Sequence, residues 1–131
     1  WDPALLQLAR EYSVTTREAD RLEHNIGRPL GARYERAGYS CRLQVGNSNT
    51  YLVGGENLAL TAQIPSIALY SDGTEEPQSI RSFDELVEVT VQGWMNSPPH
   101  RENLLNPTWQ REGIGVVIDA DHRLWITQNF C

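Results

Sequence analysis

Apolar residues recur at three- and four-residue intervals along some stretches of the chain and alternate with polar ones along others, and this rhythm sorts it into elements. Leu5, Leu6, Leu8, Ala9 and Tyr12 form a helical stripe behind Asp2-Pro3, a cap followed by proline at the first helical position. A second helical stretch is predicted from Thr16 to His24, with Ala19, Leu22 and Glu/Arg pairs at helical spacing, ended by Asn25-Ile26-Gly27-Arg28-Pro29. Leu30 to Ala37, followed by Gly38, reads as a third, short helix. The best-marked helix opens on a Ser82-x-x-Glu85 capping box; its stripe of Phe83, Leu86, Val87, Val91 and Trp94 predicts one buried face. Pro98 and Pro99 lack the donors that a continuing helix needs, so it is expected to stop near Asn96 or Ser97. His100 is then expected on a short, proline-stiffened loop.

Alternation marks Tyr39 to Val45 and Thr50 to Val53 as strands joined by Gly46-Asn47-Ser48-Asn49, and Gly113 to Ile118 with Leu124 to Phe130 as an antiparallel hairpin around Asp119 to Arg123. Gly54-Gly55 frees the backbone just before Glu56 and Asn57. Thr61 to Ile80, with Pro65, Asp72-Gly73 and Pro77, reads as a long irregular connection. Helices around an antiparallel sheet make this an α+β chain rather than a βαβ one. Its 131 residues and 14.8 kDa fit one domain, residues 1–131, with no internal repeat.

Charge changes the picture of partners. A net charge of −6 and a pI near 5.0 argue against nucleic acid, which needs a clustered positive surface. The acidic excess lies mostly between Tyr39 and His100, and all 11 basic residues are arginine. No apolar run of about eighteen residues exists, so no transmembrane segment is expected, and no uncleaved leader precedes Trp1. The two cysteines, Cys41 and Cys131, form no C-x-x-C pair; an even count with one thiol at the final residue favours a disulfide over metal ligation, and hence export. The alternative is a buried thiol and a free terminal one.

Six ordered segments carry a resemblance. Trp1-Asp2-Pro3-x-Leu5 with Ala9-Arg10, Leu22-x-His24, Gly55-Glu56-Asn57-Leu58, Trp94-Met95-Asn96-Ser97-Pro98-Pro99-His100-Arg101-x-Asn103-Leu104-Leu105, Gly113-Ile114-Gly115-Val116 and Thr127-Gln128-Asn129-Phe130 together resemble the secreted CAP family, in its prokaryotic branch. That family takes in cysteine-rich secretory proteins, venom antigen 5 and plant pathogenesis-related proteins. The resemblance implies a three-layer α-β-α sandwich, a secreted, extracellular location, and a cavity often lined by two histidines and two acidic residues. Carried over by position, the histidines are His24 and His100 and one acid is Glu56. The other acid is replaced by Ser97, and the stretch that usually precedes Trp1 in the family is absent.

Such a cavity suggests three kinds of chemistry. Two neutral imidazoles converging on one point suit Zn²⁺ or another divalent ion, with Glu56 ligating or acting as an outer partner. The alternative is that His24 caps a helix end, His100 bonds a carbonyl, and Glu56 merely pairs with Arg10 or Arg101. Ser97, His100 and Glu56 are residues of the right kind for a hydrolase nucleophile, base and orienting acid, although no Gly-x-Ser-x-Gly elbow surrounds Ser97; metal-assisted hydrolysis is the other enzymatic reading. The third reading is a module binding a sterol, a fatty acid or a protein partner, with Ile64, Ile67, Leu69 and Tyr70 lining an apolar groove. Asp72 to Glu76 lacks the alternating ligands of a Ca²⁺ loop and reads as a solvated turn. His122 is expected exposed and inert, and Trp1, Trp94, Trp109 and Trp125 in the core.

Overall fold

Asp2 starts the first helix by accepting hydrogen bonds from Ala4 N and Leu5 N, with Pro3 at the first helical position. In the computed structural model, which describes residues 1–77 and 79–131, this helix, α1, runs unbroken over Pro3–Ala19. The sequence suggests two helices here, because Ser13, Val14, Thr15 and Thr16 are poor helix formers. Tertiary contacts override that preference. Ser13 and Thr16 are buried, and Ser13 Oγ donates to Gly115 O at 3.0 Å and accepts from the Thr127 hydroxyl at 2.9 Å, so the middle of α1 is bonded to the sheet. The helix ends at Asp20 in the left-handed conformation (φ 48°), which leaves Arg21 to His24 outside it.

The remaining elements are α2 (Leu30–Arg36), β1 (Leu43–Gln44), β2 (Tyr51–Leu52), β3 (Gly55–Ala62), β4 (Ile67–Leu69), β5 (Glu75–Pro77), α3 (Phe83–Asn96), α4 (Pro98–Leu105), β6 (Glu112–Ile118) and β7 (Arg123–Phe130). The main sheet has the order β3-β7-β6 and is antiparallel throughout. β7 is its middle strand and is buried from Leu124 onward. The connection expected to be irregular holds the last two residues of β3 and a small β4–β5 hairpin instead; Gln78, part of that stretch, lies outside the described residues.

Strand alternation divides the core in two. On one face, a Cβ at Gly113 or Gly115 would lie against the α1 backbone at Leu6 and Arg10, so only glycine lets the helix rest on β6. Leu5, Leu8, Tyr34, Cys41, Leu43 and Cys131 cluster beside this contact. On the other face Leu86, Trp94, Leu124 and Ile126 form a second cluster, and Trp94 Nε1 donates to Leu58 O at 2.8 Å. The result is the expected α-β-α sandwich. The α3 stripe is only partly covered. Leu86, Thr90 and Trp94 are buried, whereas Phe83, Val87 and Val91 are exposed because their side of the helix turns away from the sheet. Trp1 is also exposed, at 71 %, since it precedes α1 rather than packing beneath it.

Cys41 and Cys131 form the expected disulfide, with Cα atoms 5.6 Å apart and a sequence separation of 90. In the chain-entropy picture a bridge over so long a loop stabilises by up to about 4 to 5 kcal/mol.

Candidate functional site

The second residue of β3, Glu56, is the anchor. β3 is an edge strand, and alternation turns Glu56 toward the α1 side, where its side chain is only 3 % exposed. A carboxylate so placed needs partners. Arg33 supplies the main ones as a two-pronged fork, Nη2 to Oε1 at 2.9 Å and Nη1 to Oε2 at 2.8 Å. Asn129, paired opposite Glu56 in the sheet, donates its amide nitrogen to Oε2 at 3.1 Å while its oxygen accepts from Ala9 N at 3.3 Å. The partner is thus Arg33, not Arg10 or Arg101, both of which are exposed. A sequence signal exists for it. Leu30, Arg33, Tyr34 and Ala37 share the i, i+3, i+4, i+7 spacing of one helix face, which puts an arginine in an inward stripe.

His24 joins the same carboxylate. Its Nδ1 lies 3.0 Å from Glu56 Oε1, and its ring is half exposed. Tyr12, buried in α1, holds the turn that carries it: the phenol donates to Glu23 O at 2.7 Å and accepts from Ile26 N at 3.0 Å, and the Arg33 guanidinium stacks 3.4 Å above the Tyr12 ring. With Nδ1 engaged by Glu56, Nε2 is the nitrogen left to meet a ligand.

His100 stands across the edge of β3. It lies in the first turn of α4, not on a loop, because Pro98 and Pro99 occupy the first two helical positions, where an N–H has no helical acceptor. Ser97 ends α3 and begins α4 in one residue. Ser97 and His100 line a groove of about 340 Å³ with Leu58, Leu60, Arg81 and Trp94. Burial, and then the positive charge of His24, lower the His100 pKa below 6.5, so its ring is held in the neutral, lone-pair-bearing form. Two asparagines fix the strand to the helix. Asn103 Nδ2 donates to Glu56 O at 3.1 Å and to Asn57 Oδ1 at 2.9 Å, and Asn57 Nδ2 donates to His100 O at 3.2 Å. Asn103 appeared in the sequence only as part of a motif; buried amides of this kind carry no periodic signal.

These contacts sort the expected site residues. Glu56 is joined to His24 and Arg33, and among the described residues no hydrogen bond links Ser97 to His100 or His100 to Glu56, so the nucleophile–base–acid relay is not assembled. Among the described residues no group of three or more His, Cys, Asp or Glu side chains is placed to hold a metal ion. Both Glu56 oxygens are committed to Arg33, so the carboxylate fits a divalent ion only as an outer partner that orients His24. What remains for an ion is two imidazole nitrogens. Of the four residues expected to line an apolar groove, Ile67, Leu69 and Tyr70 are exposed and Ile64 is partly buried, and none of them lines the groove beside His100. Asp72 Oδ1 is used within its own turn, accepting from Thr74 N and Oγ1. His122 is exposed, with Nδ1 3.3 Å from Gln63 Oε1. No helix among the described residues is long and apolar enough to cross a membrane.

The family model described as "CAP: Cysteine-rich secretory protein family" matches residues 1–130. Among solved structures, an extracellular protein containing an SCP domain from Bacillus anthracis str. Ames is similar at 24 % identity and a TM-score of 0.60, over 99 % of this chain and 32 % of that one. An outer surface protein from Borrelia burgdorferi is similar at 18 % identity and a TM-score of 0.65, over 98 % of this chain and 73 % of that one. At these identities the likeness establishes the fold, and this chain spans about a third of the length of the Bacillus protein. Among curated proteins there is no match.

Proposed function

This chain belongs to the cysteine-rich secretory protein (CAP) family, and from that premise we propose that it is an exported binding domain whose cleft takes a divalent cation between His24 and His100. The observation that carries this reading is the buried Glu56 carboxylate on His24 Nδ1, an arrangement that fixes a histidine's tautomer and aims its other nitrogen outward. The lowered pKa of His100 supports it, because a neutral ring is the ligating form. An ion held there takes the two ring nitrogens and completes its coordination with water, and it supplies an attachment point for a polar group of a ligand or partner. Glu56, Arg33 and Tyr12 hold His24; Asn57 and Asn103 hold α4 and with it His100. Among the described residues no base is hydrogen-bonded to Ser97, which favours binding over a serine hydrolase.

Zn²⁺ titration followed by thermal unfolding tests this. The unfolding temperature is expected to rise with Zn²⁺ in the parent and to stay flat in His100→Ala. No rise in the parent ends the metal reading. A peptide or ester hydrolysis rate lost in Ser97→Ala, or lost on chelation, would replace binding with catalysis.

A further inference from the structure

Away from the histidine cleft, α1, the turn after it and α2 enclose a cavity of about 510 Å³, within the size range of small-ligand sites. Leu8, Tyr12 and Ile26 give it apolar walls, and three of the chain's arginines, Arg28, Arg33 and Arg36, line it against one acid, Glu11. Arg33 is neutralised by Glu56, and Arg28 and Arg36 against Glu11 still leave the cavity a positive balance in a chain of net charge −6. Glu11 is already engaged by Gln7 Nε2 at 2.8 Å. Arg28 and Arg36 make no side-chain hydrogen bond or ion pair among the described residues, in contrast to Arg17, Arg21, Arg33, Arg111 and Arg123. Arg33 completes the lining but is itself held by Glu56 through both Nη atoms, so the charge left for a ligand is that of Arg28 and Arg36.

We propose that this cavity binds a tetrahedral oxyanion, a phosphate or sulfate group, with Arg28 and Arg36 as its ligands. The geometry favours this class over a carboxylate. A planar carboxylate is satisfied by one guanidinium fork, as Glu56 is by Arg33. Two guanidinium groups arriving from a turn, Arg28, and from a helix, Arg36, instead match oxygens pointing in several directions. The apolar walls fit the uncharged body of a monoester. The proposal uses neither His24 nor His100, so its failure and that of the cation site are separate outcomes.

The test is titration of sodium phosphate and of sodium sulfate at fixed ionic strength, followed by amide chemical shifts of residues 26–37 and by thermal unfolding. Saturable shifts confined to the α1–α2 cavity are expected, with none from sodium chloride. The double variant Arg28→Ala/Arg36→Ala, altered at two exposed side chains, is expected to keep the parent's unfolding temperature and to bind about tenfold or more weakly. Co-sedimentation with phosphatidylcholine vesicles, with and without a phosphoinositide, separates the sources. Retention that needs the phosphoinositide and both arginines assigns the group to a lipid headgroup, and binding of the free ions without retention assigns it to a soluble ester. Shifts equal in chloride, or parent affinity in the double variant, overturn the proposal.

Discussion

Against one face of the β3-β7-β6 sheet α1 lies so close that Gly113 and Gly115 have no room for a side chain, and its buried contacts include hydroxyls and amides: Ser13, Thr16, Thr127 and Asn129. Against the other face α3 stands on Leu86, Trp94, Leu124 and Ile126 and leaves Phe83, Val87 and Val91 in solvent. The first face is specified by directional bonds and close backbone approach, which tolerate little change. The second is specified by volume, which tolerates more. Glu56 sits on the strict face and His100 on the tolerant one, so the proposed cation site has one fixed wall and one adjustable wall.

That contrast is open to attack by mutation. Glu56→Gln should have the largest effect, a loss of about 3 to 5 kcal/mol in urea unfolding, because it leaves the Arg33 charge buried without its partner. A loss under about 1 kcal/mol would show that the strict face is not held by this pair. Gly115→Ala comes next, at about 3 kcal/mol, since the new methyl meets the α1 backbone at Arg10, which has nowhere to move without lifting off the sheet. On the tolerant face Trp94→Phe should cost about 1 to 2 kcal/mol for the lost bond to Leu58 O, and Val87→Ala with Val91→Ala no more than about 0.5 kcal/mol each. If the valine pair costs as much as Gly115→Ala, the two faces are not different in kind.

The smallest effect concerns pH. The folded state holds the His100 pKa below its unfolded value, so the unfolded chain binds the proton more readily between the two values. Stability from this group is present above about pH 6.5 and is lost as pH falls through the lowered value. His100→Gln is therefore expected to flatten the fall in unfolding free energy between about pH 7.5 and 5. An unchanged slope would place the pH dependence elsewhere and weaken the case for a partly buried ring.

Much of this was legible in the chain. The Ser82-x-x-Glu85 box, the prolines after Ser97 and the alternation of β6 and β7 each act locally, and each element formed where those signals put it. The meeting of His24 with Glu56 was legible only through the resemblance that the ordered motifs carry, and Cys41 with Cys131 through count and position. What escaped depended on contacts between distant residues. The continuity of α1 through Ser13 and Thr16 comes from the sheet beneath it, and β3, which the sequence did not mark as a strand, is drawn out by pairing with β7. The exposed side of α3 escaped because a helical stripe marks an apolar face without saying how wide the surface beneath it is. Arg33 had a local signal, its place in the inward stripe of α2, but the acid it meets lies on another element.

Ser97 carries one further consequence. It closes one helix and opens the next with no spare residue between them, so the bearing of α4 relative to α3 is set by a single pair of backbone angles. Adding one residue at this joint would introduce a second pair of backbone angles and displace α4 from its seat, forcing a choice between the Asn103 anchorage and the heading of the imidazole three positions downstream. Gradual change in this family member is thus confined to swapping side chains at the joint, while altering the length of the chain there would dismantle the cleft in one stroke.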